Sequence, residues 1–80
     1  MLKLLIAEDE ALERKALRFL LGKYFSQSIE VVDEVSNGRD AVDKAIVLKP
    51  HIILMDIHMP IMEGLEACSL IKKITKKLNL

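Results

Sequence analysis

Ile52-Ile53-Leu54-Met55-Asp56, followed at once by Ile57-His58-Met59-Pro60, is the stretch whose reading decides the fold. An apolar run of strand length ends on a carboxylate. An acid at the carboxyl end of a buried strand is costly unless something compensates for it. Near the start of the chain, Leu4-Leu5-Ile6-Ala7 runs into Glu8-Asp9-Glu10 in the same way. If the two strands are parallel neighbours, their acids converge at one end of a sheet. Such a cluster repels itself unless it binds a divalent cation or keeps a proton.

The rest of the chain supplies the elements between these strands. Leu2 to Ala7 is nearly continuous in hydrophobicity, which predicts burial on both faces, as in a parallel sheet. From Ala11 to about Phe25 the period becomes helical, with Leu12, Ala16, Phe19, Leu20 and Lys23-Tyr24 on one stripe and Leu17 and Leu21 widening it. Glu10 and Arg14 have the spacing of a helical i,i+4 pair, as do Asp40 and Lys44. Ile29 to Val35 is β-branched but carries Glu30, Asp33 and Glu34, a polarity that suits an edge strand. Asn37-Gly38 could signal a hairpin. The helical pattern of Ala41, Val42, Ala45 and Ile46 makes Asn37 an N-cap instead, with Asp40 in the first turn. Lys49-Pro50 ends that helix. After a loop over 57–64, a last helix begins near 63–65, with Ala67, Ile71, Ile74 and Leu78 on one stripe.

The alternation is βαβαβα, which predicts an α/β layered domain with parallel strands and right-handed crossovers. If the third strand lies on the far side of the first, the order is 2-1-3. The first helix then covers one face, and the second and third cover the other. Ligands bind at the carboxyl ends beside such a switch point, which would bring Glu8, Asp9 and Asp56 together.

Composition bounds the alternatives. Eighty residues, 51% hydrophobic and 30% charged, allow one small domain, here residues 1–80. Net charge is zero, so bulk electrostatics names no partner. Lys72, Lys73, Lys76 and Lys77 form an acid-free tail, read as the favoured cationic end of a helix rather than a nucleic-acid contact. Cys68 is alone, which excludes a disulfide framework and fits a reducing compartment. No apolar run approaches transmembrane length, and Lys3 interrupts the only signal-peptide-like start. The expectation is a cytoplasmic, soluble protein with no membrane contact.

Three carboxylates around a small cleft suit a hard, oxygen-loving cation, and magnesium commonly takes one or two carboxylates while leaving room for a phosphate oxygen. A carboxylate can also attack phosphorus and form an aspartyl phosphate, with the cation offsetting the repulsion. This chemistry assigns metal binding to the acids of the first loop and phosphoryl acceptance to Asp56.

Here the chain resembles the receiver domain of two-component response regulators. The matching segments are Leu4 to Glu10, Asn37-Gly38, and Lys49-Pro50 leading to Ile53-Leu54-Met55-Asp56-Ile57-His58-Met59-Pro60-Ile61-Met62-Glu63-Gly64. The resemblance implies a flavodoxin-like three-layer fold whose full sheet order is 2-1-3-4-5. It implies Asp56 as phosphoacceptor, Asp9 as a direct magnesium ligand, Glu8 as a ligand mostly through water, and the His58 backbone carbonyl as a further metal oxygen. It also implies a sensor histidine kinase as partner. No turnover of an external substrate is expected, because the position two residues after Asp56 is His58 rather than a second Asp.

The chain also departs from the family pattern. Receivers have five βα units, with a Thr or Ser ending strand four and a Lys ending strand five; this chain ends after the third unit. Thr75 falls inside the third helix by this reading. The expectations are an open edge on the third strand, self-association through that edge about a twofold axis, and a second functional class: an assembly unit without a working phosphoryl switch. Blander readings also stand beside the site. Asp56 alone could cap the next turn, and Glu10 reads as a helix N-terminal acid. The His58 side chain reads as solvent-facing, since one His among hard acids is poor zinc chemistry. His51 reads as leading into a strand, Cys68 and the methionines as packing.

Overall fold

The computed structural model describes residues 1–56, 61, 62 and 64–77. Within them the chain runs β1 (Leu2–Ala7), α1 (Ala11–Tyr24), β2 (Ile29–Val35), α2 (Gly38–Leu48), β3 (Ile52–Met55) and α3 (Gly64–Lys77). The sheet is parallel with order β2-β1-β3, as the alternation predicts. Strand β1 is central because it is apolar on both faces. Its Leu4, Leu5, Ile6 and Ala7 are all almost completely buried. Successive side chains of a strand point to opposite faces. Leu5 and Ala7 join Val35, Ala41, Ile53 and Met55 in the core under α2 and α3, which places Leu4 and Ile6 on the α1 side.

Strand β2 is an edge strand, as its acids predict. Its pairing with β1 is in register from Leu2↔Ile29 to Leu4↔Val31, then shifts so that Leu5 faces Asp33. The bulge leaves Val32 without an opposite residue and raises the local twist. On the other side of β1, the pairs run Leu4↔Ile52 to Ala7↔Met55 without interruption. The start of β3 is pinned by His51, whose Nδ1 accepts from the Lys3 main-chain N–H at 2.9 Å while its own N–H donates to the Lys3 carbonyl. The residue that leads into the strand therefore also fixes its register.

Asn37 is the N-cap of α2. Its side-chain oxygen accepts from the Asp40 N–H at 2.8 Å, and its Nδ2 donates to the Asp40 carboxylate at 3.1 Å. The helix ends at Lys49, which adopts the left-handed conformation (φ 48°) immediately before Pro50. The chain pays for this stop with a non-glycine residue in a region that glycine normally fills.

Two local expectations are corrected. The i,i+4 ion pairs are not the ones that form. Arg14 turns from Glu10 toward Glu34, and Lys44 turns from Asp40 to Asp33 at 3.0 Å. The carboxylates on β2 are partly shielded, so a cation reaching across to them gains more than it would from an exposed neighbour on its own helix. The apolar stripe of α1 is also split. Leu17 and Leu21 are half-buried, whereas Leu12 (79% exposed), Phe19 (66%) and Tyr24 (64%) face outward, and no residue of the helix is fully buried. The helix lies against the β2 side of the sheet, and among the described residues no element covers its outer face.

Gly38 marks a close approach between two segments of backbone. Its N–H donates to the Met62 carbonyl at 3.1 Å, and a Cβ at this position would overlap that carbonyl group. The start of α2 is thus tied to the segment that follows β3. Gly38→Ala should lower unfolding stability by about 1–3 kcal/mol, the usual cost of overpacking. Denaturant titration against the native chain measures it.

Candidate functional site

The two acid-terminated strands leave the sheet side by side. The Glu8 N–H donates to the Val35 carbonyl and the Asp56 N–H donates to the Ala7 carbonyl, both at 3.0 Å. The parallel ladder therefore continues one residue past β1 and β3, and it holds Glu8 and Asp56 at the same level. Glu8, Asp9 and Asp56 come together: one carboxylate oxygen from each lies within 4.8 Å of the others. Glu8 is buried (6% exposed), Asp56 is half-buried and Asp9 is exposed. Glu10 stands at the N-cap position of α1 without a side-chain cap, in keeping with a helix-terminal acid. His58, with Met59 and Pro60, lies outside the described residues, as does Glu63.

Glu8 carries the electrostatic cost of the cluster. Burial is the main cause that pushes its carboxyl up to about 7; a hydrogen bond with the Glu13 carboxyl and the charge of Asp56 push the same way. The Glu10 N–H, 3.3 Å from Glu8 Oε1, opposes them. Glu13 was not among the residues singled out from the sequence. Its position in the first turn of α1, four residues past Asp9, is the signal that could have found it. Arg14, the next residue, donates from Nη1 to the Glu8 carbonyl at 2.7 Å.

The donor set fits magnesium. All three side chains offer hard oxygens. The ligand oxygens of an octahedral magnesium at about 2.1 Å lie at most about 4.2 Å apart, so acids this close could share one ion directly or through a water. A cation beside Glu8 would favour its ionised form, against the burial that raises its pKa. Beyond the acids, the segment after Asp56 contains Ile61 at φ 69°, a β-branched residue in the left-handed region. Such a conformation persists only where the surroundings impose it, and the bond from Gly38 to the neighbouring Met62 is one such constraint.

These shifts set a pH dependence. Glu8 binds its proton more tightly in the folded state. Its contribution to stability is complete below the ordinary value of 4.5 and is lost as pH rises through about 7. Asp33 has the opposite sign. The Glu34 N–H and the Lys44 ammonium hold its carboxyl below 3.8, so its contribution is present above that value and lost on acidification below it. In metal-free buffer the thermal midpoint should fall from about pH 5 to about pH 8, and Glu8→Gln should flatten that fall. Scanning calorimetry of both proteins across this range checks it.

Comparison with known proteins gives the family and the fold. The family model described as the response regulator receiver domain matches residues 4–80. Among curated relatives, a protein-glutamate methylesterase/protein-glutamine glutaminase of Methanococcoides burtonii is 44% identical over 75 residues, 94% of this chain and 21% of that protein. Its counterpart in Archaeoglobus fulgidus is 49% identical over 70 residues, 88% of this chain and 19% of that protein. The chain thus spans about a fifth of the length of these relatives. Among solved structures, the response regulator domain of Thermotoga maritima CheB superposes with a TM-score of 0.85 at 38% identity, covering 91% of this chain and 53% of that one. CheY of Borrelia burgdorferi, solved in a complex with CheX, BeF3 and magnesium, gives 0.79 at 28% identity, covering 94% of this chain and 55% of that one. The motifs, the sheet order and these likenesses agree: the chain belongs to the response regulator receiver domain family of two-component signalling.

Proposed function

We propose that this chain is the phosphoacceptor module of a cytoplasmic two-component system, with Asp56 taking a phosphoryl group from a sensor histidine kinase in a magnesium-dependent reaction. One observation carries the reading: Glu8, Asp9 and Asp56 offer carboxylate oxygens within 4.8 Å of one another at the ends of adjacent parallel strands. Asp9, the exposed acid, would hold the cation directly, and Glu8 would do so mostly through water. Asp56 would serve both as phosphoacceptor and as a metal ligand, and the backbone carbonyl of His58, which lies outside the described residues, would be a further ligand. Bound magnesium would supply positive charge that offsets the repulsion between the acids and the incoming phosphoryl oxygens.

In the transfer, an Asp56 carboxylate oxygen forms a bond to phosphorus as the phosphorus–nitrogen bond of the donor phosphohistidine breaks. The bonding pair returns to the imidazole. Asp56 is suited to attack because the ladder bond from its own N–H to the Ala7 carbonyl fixes its main chain. The product is a phosphorylated protein rather than a released one, so the module is a substrate of its kinase and turns over nothing external. The relatives' methylesterase and glutaminase names describe proteins about five times as long as the matched segment. The Borrelia CheY, solved with BeF3 and magnesium, supports the same ligand class for a similar fold.

A further observation favours self-association. Among the described residues β3 pairs with a strand only on its β1 side, and its Leu54 is 37% exposed. An open edge beside apolar side chains is a template for another strand. We propose that the 80-residue chain pairs through this edge with a second copy about a twofold axis, and makes no direct contact with nucleic acid or membrane. No described helix is long and apolar enough to cross a membrane.

Intact mass after incubation with magnesium and a small acyl phosphate tests the first reading. The native chain should gain one phosphoryl group and Asp56→Asn none; a folded native chain without the adduct refutes phosphoacceptance. Light scattering at micromolar concentration tests the second. Twice the chain mass is expected, and a compact, cooperatively unfolding monomer refutes it.

A further inference from the structure

Arg14 has no part in the reaction as described, yet it touches the loop that carries two of the three acids. It sits at the end of the first turn of α1, five residues past Asp9. Its Nη1 donates to the main-chain carbonyl of Glu8 at 2.7 Å. Its Nε lies 3.8 Å from Glu34 Oε1, and both side chains are about three-quarters buried. The second oxygen of Glu34 is taken by Arg18, which is half exposed. The bonded carbonyl is at a sensitive point. The Glu8 N–H still belongs to the ladder with β2, through Val35, whereas Asp9 has already left the sheet. Arg14 therefore grips the peptide unit between Glu8 and Asp9, and Glu34 anchors Arg14 to the edge strand.

We propose that Arg14 is a positioning residue for the acid cluster: by bridging the Glu8 carbonyl and the Glu34 carboxylate it sets the direction in which Glu8 and Asp9 leave β1, and so sets the affinity for a divalent cation. The proposal rests on the magnesium reading above. The guanidinium suits the task because its planar fork presents several donors at fixed angles and never loses its charge. A lysine at this position can make one of the two contacts but not hold both in a fixed relation. Outer partners that orient metal ligands are commonly worth ten- to a hundred-fold in metal affinity. The sign of the effect separates positioning from plain charge. Arg14 is a cation beside a cation site, so its charge alone disfavours magnesium. Removing it should tighten binding if charge is all it contributes, and weaken binding if it aligns the acids.

The test uses the full 80-residue chain with Arg14→Met, Arg14→Lys and Arg18→Met. Magnesium affinity is measured by titration calorimetry at fixed ionic strength. Amide hydrogen exchange is followed in the metal-free proteins at Glu10, whose N–H faces Glu8 Oε1, with the β1 amides as the internal standard of an intact fold. Arg14→Met should weaken magnesium binding about ten-fold or more, with Arg14→Lys recovering part of the loss and Arg18→Met staying within about two-fold of native. Exchange at Glu10 should quicken in Arg14→Met and not in Arg18→Met, while the β1 amides hold. Equal or tighter magnesium binding by Arg14→Met overturns the proposal. If the native chain itself binds no magnesium, the cation reading fails instead. The brace is then judged on exchange alone, and unchanged exchange at Glu10 in Arg14→Met removes it.

Discussion

The parallel ladder on either side of β1 is the constraint on which the rest of the structure depends. It pairs Ala7 with Val35 on one side and Met55 on the other, then continues for one more hydrogen bond on each. That extra step brings Glu8 level with Asp56. Backbone hydrogen bonds in a sheet leave little freedom for the next residue, so the spacing of the two acids is set by main-chain geometry before any side chain is considered. The apolar side chains of β1 secure the ladder, because a strand buried on both faces cannot slip by one residue without exposing half of them.

Holding acids together in this way has an electrostatic consequence. A buried Glu8 beside Asp56 and Glu13 is unfavourable when every group is ionised, and its carboxyl is pushed up to about 7 as a result. A divalent cation held between the acids would relieve the same field. The fold thus stores at one end of the sheet a cost that a ligand can remove. Stability elsewhere offsets it: the β1 core, the reciprocal cap between Asn37 and Asp40, and the paired carboxylates of β2.

The contacts around the site are of two kinds. Some close the corner between elements, such as Gly38 against the Met62 carbonyl and the His51 ring against Lys3. Others connect the edge strand to the acid loop, as Arg14 does between Glu34 and Glu8. Both kinds join parts of the chain far apart in sequence. Both act on segments that precede or follow a carboxylate, so small changes in them bear on the geometry of the acids.

Much of this was legible in the residues. The two apolar runs ending in acid, the helical periods between them and the acids on Ile29 to Val35 determined a three-stranded parallel sheet with an edge strand, and Asn37 declared its helix start. Those features are local: strand burial, helix period and capping each depend on residues a few positions apart. The convergence of Glu8, Asp9 and Asp56 followed once the strand order was accepted. Only the tertiary structure decided which side of α1 faces the sheet, because Leu12, Phe19 and Leu20 carry the same apolar signal as Leu17 and Leu21. It alone decided the ion pairs as well. Arg14 and Lys44 each had an acid four residues away, and took one on β2 because crossover connections bring partly shielded carboxylates within reach. Spacing along a helix describes neighbours on one element; it carries no information about what another element sets opposite them.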